Sequence, residues 1–180
     1  MKTSYLIFGI YVLMDLASSA ERSIRILFDE FKIKYKVTDI FEKVECHLAQ
    51  LNNRSYINAE VILKREINDM TIRATMDFWK PNSQLNMKVY DVRLNGCDLL
   101  RSINTNKLFS FYVKTIKKHA NVILACPFKA NFSYKMVDWF LDEKDLPLFV
   151  PVGTFRTFTE FYTQKRLGLR LVGRGKVLTK

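Results

Sequence analysis

An all-β fold, an antiparallel sandwich or barrel with one helical insertion, is predicted by three features of this 180-residue chain. Apolar and polar residues alternate with period two in run after run, as in Phe31-Lys32-Ile33-Lys34-Tyr35-Lys36-Val37. Clusters such as Asn52-Asn53, Asn68-Asp69 and Lys80-Pro81-Asn82-Ser83 punctuate those runs. Short half-buried strands joined by such turns are the pattern of antiparallel β proteins. Only one segment, from about Thr105 to His119, has the three-and-four spacing of an amphipathic helix.

In chain order, the Phe31–Val37 run is the first strand, its Lys side chains on one face. Val44, Cys46 and Leu48 form the inward row of a second, which ends at Asn52-Asn53. Ile57, Ala59, Val61 and Leu63 share a face of the third. Ile72, Ala74, Met76 and Phe78 do so in the fourth, alternating with Arg73, Thr75 and Asp77. After the Lys80–Ser83 turn, Leu85, Met87 and Val89 supply the next inward row. The helix follows, with Leu108, Phe111, Tyr112, Thr115 and Ile116 on its apolar side and Asn104 or Thr105 as its cap. Asn121 to Ala125 is strand-like, and Phe132, Tyr134 and Met136 alternate again. The two prolines of Asp145–Gly153 exclude a central strand there. Thr154–Thr163 and the Leu167, Leu169, Leu171 run close the sheet.

The amino terminus has a secretory pattern: Lys2, an uncharged run from Tyr5 to Met14, and the small residues Ser18-Ser19-Ala20. The apolar run is too short for a membrane span. Residues 1–20 are therefore expected to be a signal peptide and 21–180 a single secreted, extracellular domain. The net charge of +11 favours anionic partners, yet Lys32, Lys34 and Lys36 also suit an ordinary solvated sheet face, and secretion argues against nucleic acid. The three cysteines leave one unpaired. A bridge from Cys97 to Cys126 would fasten both ends of the helical insertion to the β framework, contributing roughly 3–4 kcal/mol for a loop of about 30 residues. It would leave Cys46 as a free thiol, buried and inert or linked to a partner. Asn53-Arg54-Ser55 and Asn131-Phe132-Ser133 are glycosylation sequons in breaks of the strand pattern.

Catalytic signatures are missing from the sequence. His47 and His119 lack the spacing of a zinc site, and no nucleophile elbow or phosphate-cradling glycine loop occurs. The expectation is a non-enzyme without cofactor or metal. Fourteen Phe, together with Met70, Met76, Met87 and Met136, make an inward surface that suits an ordinary core or an adaptable apolar pocket.

Cys126-Pro127-Phe128-Lys129, Tyr134, Asp145-Leu146-Pro147 and Gly153-Thr154-Phe155-Arg156 resemble the ganglioside activator of the ML lipid-recognition superfamily. The wider pattern is Tyr90-Asp91, Gly96-Cys97-Asp98-Leu99-Leu100, the helix, Cys126-Pro127-Phe128, and Pro147 through Pro151 to Gly153. It is similar to a large insect family of secreted proteins of unknown function that includes the chemosensory B proteins. Many of those carry a further cysteine upstream of the position matched to Cys46; Phe31–Tyr35 has none here, so only the Cys97–Cys126 bridge is carried over.

The resemblance implies an immunoglobulin-like sandwich whose sheets splay apart around a lipid or hydrocarbon, with a receptor or membrane surface as a further partner. Strand parity nominates Ile72, Met76, Phe78, Met87, Val89, Phe132, Phe155 and Leu169 as cavity walls. A chemosensory role follows from the resemblance alone. The competing reading is a secreted interaction module with a solid core, acting through its basic surface or Cys46.

Overall fold

The computed structural model describes residues 24–101, 107–146 and 150–180. The expected signal peptide, the Asn104 and Thr105 caps and the Pro147 position lie outside the described residues.

The chain is an all-β sandwich of two antiparallel sheets. Its strands are β1 (Ile24–Lys36), β2 (Phe41–Leu51), β3 (Arg54–Leu63), β4 (Thr71–Trp79), β5 (Asn86–Asn95), β6 (Ser133–Trp139), β7 (Gly153–Thr163) and β8 (Arg166–Thr179). The larger sheet has the order β1-β8-β7-β4-β5, the smaller β2-β3-β6. Two turns join neighbours with both central residues left-handed: Asn52-Asn53 between β2 and β3, and Gln164-Lys165 between β7 and β8. That geometry matches the twist of paired strands.

Between β5 and β6 lie α1 (Gly96–Arg101) and α2 (Lys107–His119). The expected helix is α2; α1 was not foreseen. Asn121–Ala125, expected to be strand-like, is irregular chain. Its Asn121 instead brackets β6 with its side chain, donating to the Ser133 carbonyl and accepting from the Lys135 N–H. This local bonding competes with a ladder. The Cys97–Cys126 disulfide closes the helical excursion, with Cα atoms 5.6 Å apart, within the normal range. Next to it, Ile67 and Phe128 exchange backbone hydrogen bonds of 2.9 Å. The return of the excursion is thus anchored to the β3–β4 connection.

The layers approach most closely along β1, which lies against β2 and β3. Ser55 and Gln50 hold that seam: the Phe28 N–H donates to Ser55 Oγ at 2.8 Å, and Gln50 Nε2 donates to the Phe28 carbonyl at 2.6 Å. On the far side α2 sits beside β6 and extends the smaller layer over β4 and β5. Ala74, Leu99, Phe109 and Val113 are buried there, with Tyr90, Val92 and Leu94 packed against them.

Candidate functional site

The inner face of the large sheet includes four cross-strand rows. The first is Phe78, Phe155, Gly175 and Phe28; the second Met76, Thr157, Gly173 and Phe31; the third Ala74, Thr159, Leu171 and Ile33; the last Ile72, Phe161 and Leu169. Rings pack over the glycines. A Cβ on Gly175 would lie 2.6 Å from Phe155 Cζ, and one on Gly173 would meet Phe28 and Phe31 at 3.3 Å. Phe28 meets Phe31 and Phe155 edge to face, with centroids 5.8 and 5.4 Å apart.

Burial along these rows is uneven. One buried cluster, containing Phe28, Ile57, Phe78, Trp139, Phe155 and Val177, plugs one end. A second, containing Val37, Ile40, Phe41, Leu63, Ile67 and Leu169, plugs the other. Between them, inward residues of central strands are only half-buried: Met76, Thr157, Thr159 and Leu171 on the large sheet. Cys46, Ala59, Val61 and Met136 on the small sheet are likewise half-buried. Cys46, Ala59 and Met136 form one cross-strand row. Thr157, Thr159, Cys46 and Ala59 are short, and they alternate with the larger Met76, Leu171, Val61 and Met136, which pack against the plugs.

The groups lining this middle are chemically quiet. Burial pushes the Cys46 thiol up to about 11, so it stays protonated and a poor nucleophile at neutral pH. Its side chain packs against the first plug. Where α2 meets β5, Tyr90 and Tyr112 share a hydrogen bond between their hydroxyls, and burial raises both, Tyr90 to about 12. Trp139 Nε1 donates to Thr115 Oγ1 at 3.0 Å, tying β6 to α2. Among the described residues no cluster of three or more His, Cys, Asp or Glu could hold a metal. His119 is engaged with the Val137 carbonyl at 2.9 Å.

Of the eight nominated wall residues, Phe78, Phe155 and Leu169 are buried in the two plugs, Met76 borders the half-open middle, and Ile72 packs beneath α1 and α2. The other three need correction. Met87, Val89 and Phe132 are 51%, 50% and 37% exposed. A register shift pairs Met76 with Tyr90 but Asp77 with Lys88. Val89 is left as a bulge residue and the inward row moves to Tyr90, Val92 and Leu94. Met87 lies opposite Phe78, beyond the reach of α2. Phe132 precedes β6 at the left-handed Asn131, φ 54°, and packs only at the rim against Tyr134, 4.8 Å between centroids. Parity counting placed Ala59 on an inward face without nominating it as a wall and missed Thr157 and Thr159; the legible signal was short side chains at inward positions within a Phe-rich strand. Asn53 and Asn131 both occupy exposed turns.

A family model described as "Protein of unknown function (DUF1091)" matches residues 74–157. The matched span runs from the middle of β4 through both helices and the disulfide to the first half of β7. No curated protein matches the chain.

Proposed function

We propose that this protein is a secreted, non-enzymatic carrier or presenter of a small apolar ligand, a lipid or hydrocarbon, held between the two sheets. The observation that carries the reading is the belt of half-buried inward residues, Met76, Thr157, Thr159, Cys46, Ala59 and Met136, set between two buried plugs. In a solid sandwich the centres of both inner faces are the most buried places; here these six are half-buried, while Ala74 and Gly173 in the same rows are buried. The ML-like resemblance of the Cys97–Gly153 stretch points the same way. The mechanism is burial without chemistry: each methylene withdrawn from water yields about 0.8 kcal/mol, and ten give roughly 8 kcal/mol before ordering costs. Met76 and Met136 adapt to guests of different shape. Secretion fits the disulfide, which needs an oxidising compartment, and glycosylation at Asn53 and Asn131 fits their exposure. Among the described residues no helix is long and apolar enough to cross a membrane. A chemosensory role is the extension suggested by the insect resemblance.

Native mass spectrometry of protein from a eukaryotic secretory host, delipidated and then offered fatty acids and long alkanes, tests the reading. One-to-one uptake by the wild type, lost in Thr159→Phe with an unchanged melting temperature, is the expected result. No uptake by the wild type would leave the solid-core interaction module in its place.

A further inference from the structure

We propose that the β4–β5 hairpin is a docking surface for an anionic phospholipid bilayer. The inference stands on residues separate from the interior and does not depend on the carrier reading. Leu85, Met87 and Val89 are 84%, 51% and 50% exposed and crowd into five consecutive positions at the open edge of the large sheet. Singly exposed apolar residues are ordinary, but a contiguous group marks an interaction site. Lys80 and Lys88 flank them, both exposed, with Asp91 3.9 Å from Lys88. Of the basic residues in the segments brought alongside, Arg156, Arg174 and Lys176 pair with Asp77, Glu30 and Asp29, and Lys180 is exposed. A cleft of about 730 Å3 opens beside the hairpin, lined by Trp79, Lys80, Pro81, Val152, Thr154 and Lys176.

Charge complementarity selects the occupant. A second copy would bring its own net charge of +11 against this one. Pairing along β5 is further blunted by Lys88 and by the bulge at Val89. An anionic membrane surface attracts the same lysines and offers an apolar interior just beneath its headgroups to Leu85, Met87 and Val89.

The test is vesicle flotation at moderate salt, using phosphatidylcholine alone and phosphatidylcholine mixed with phosphatidylserine. Wild-type protein is expected to float with the phosphatidylserine vesicles only. Leu85→Ser/Met87→Ser should weaken that binding about ten-fold or more, and Lys80→Gln/Lys88→Gln roughly twenty-five-fold, about five-fold for each charge. Ile123→Ser, a change at an equally exposed apolar residue (90%) elsewhere on the surface, should bind as wild type. All these positions are solvated, so unchanged melting temperatures certify the fold. Equal flotation with both vesicle types, no flotation, or retention by the Leu85/Met87 variant would overturn the proposal. Ligand uptake measured without vesicles is a separate readout: its failure leaves the docking surface standing, and failed flotation leaves the carrier standing.

Discussion

The two faces of the large sheet are covered by different means. On the outer face, Glu160 accepts hydrogen bonds from Arg170 Nε at 2.7 Å and from the Tyr162 hydroxyl at 2.9 Å, with Arg73 3.7 Å away. Arg73 also pairs with Asp91 at 2.8 Å, and Arg156 with Asp77 at 2.8 Å. Arg156 lies over Trp79 and Phe158. These long stems cover the sheet so well that Val172, an outward residue opposite Phe158, is 1% exposed. The inner face, backed by a whole second layer, leaves Met76, Thr157 and Thr159 half-open. Arginine and glutamate stems cover a surface that would otherwise be wet, whereas the short Thr157 and Thr159 leave the middle of the inner face half-buried.

The largest effect should come from an inner plug. Phe155→Ala is expected to cost about 4 kcal/mol, read as a lower midpoint in urea; a loss near 1 kcal/mol would mean that the plug is as loose as the middle. Cys97→Ser/Cys126→Ser should cost about 3 kcal/mol. Hydrogen exchange should then rise across α2 and β5 while the amides of β7 and β8 stay protected. On the outer face, Glu160→Gln should cost about 2 kcal/mol by breaking a well-covered ion network; a neutral result would show that the arginine stems seal the face without it. Met76→Ala, at the half-open centre, should cost only about 1 kcal/mol, because water or neighbours already share its space.

The last effect is one of pH. Cys46 titrates near 11 in the folded protein against an ordinary 9.0, so its stabilising contribution is complete below about 9 and lost as pH rises towards 11. Comparing the alkaline stability profile with that of Cys46→Ala should show the wild type losing more over that window. Labelling of the native thiol at neutral pH should be slow, and fast labelling would place Cys46 at the surface.

The alternation of Ile72, Ala74, Met76 and Phe78 was enough to place β4 and its inner face, because a two-residue period allows only one face to be apolar. The same rule failed eleven residues on, at Val89. The bulge at Val89 leaves no mark in composition, and one extra residue reverses every later side chain in the strand. The span of β5 to Asn95 was missed for the same reason: Val92 and Leu94 belong to the shifted row. Burial was less legible than direction, since Met87 and Met76 look alike in sequence and only the reach of α2 separates them.

By itself, then, the sequence determined the all-β class, the turns at Asn52-Asn53 and Lys80–Ser83, the helix ending at His119 and the cysteine pair able to close that excursion. These are local properties, set by side-chain period, turn chemistry and chain length. Which apolar residues are plugs, which border the middle and which are bare was decided only by the tertiary structure. Burial is a relation between distant segments: how far α2 extends over β4 and β5, and how closely β1 approaches β2 and β3, set what each inward side chain touches.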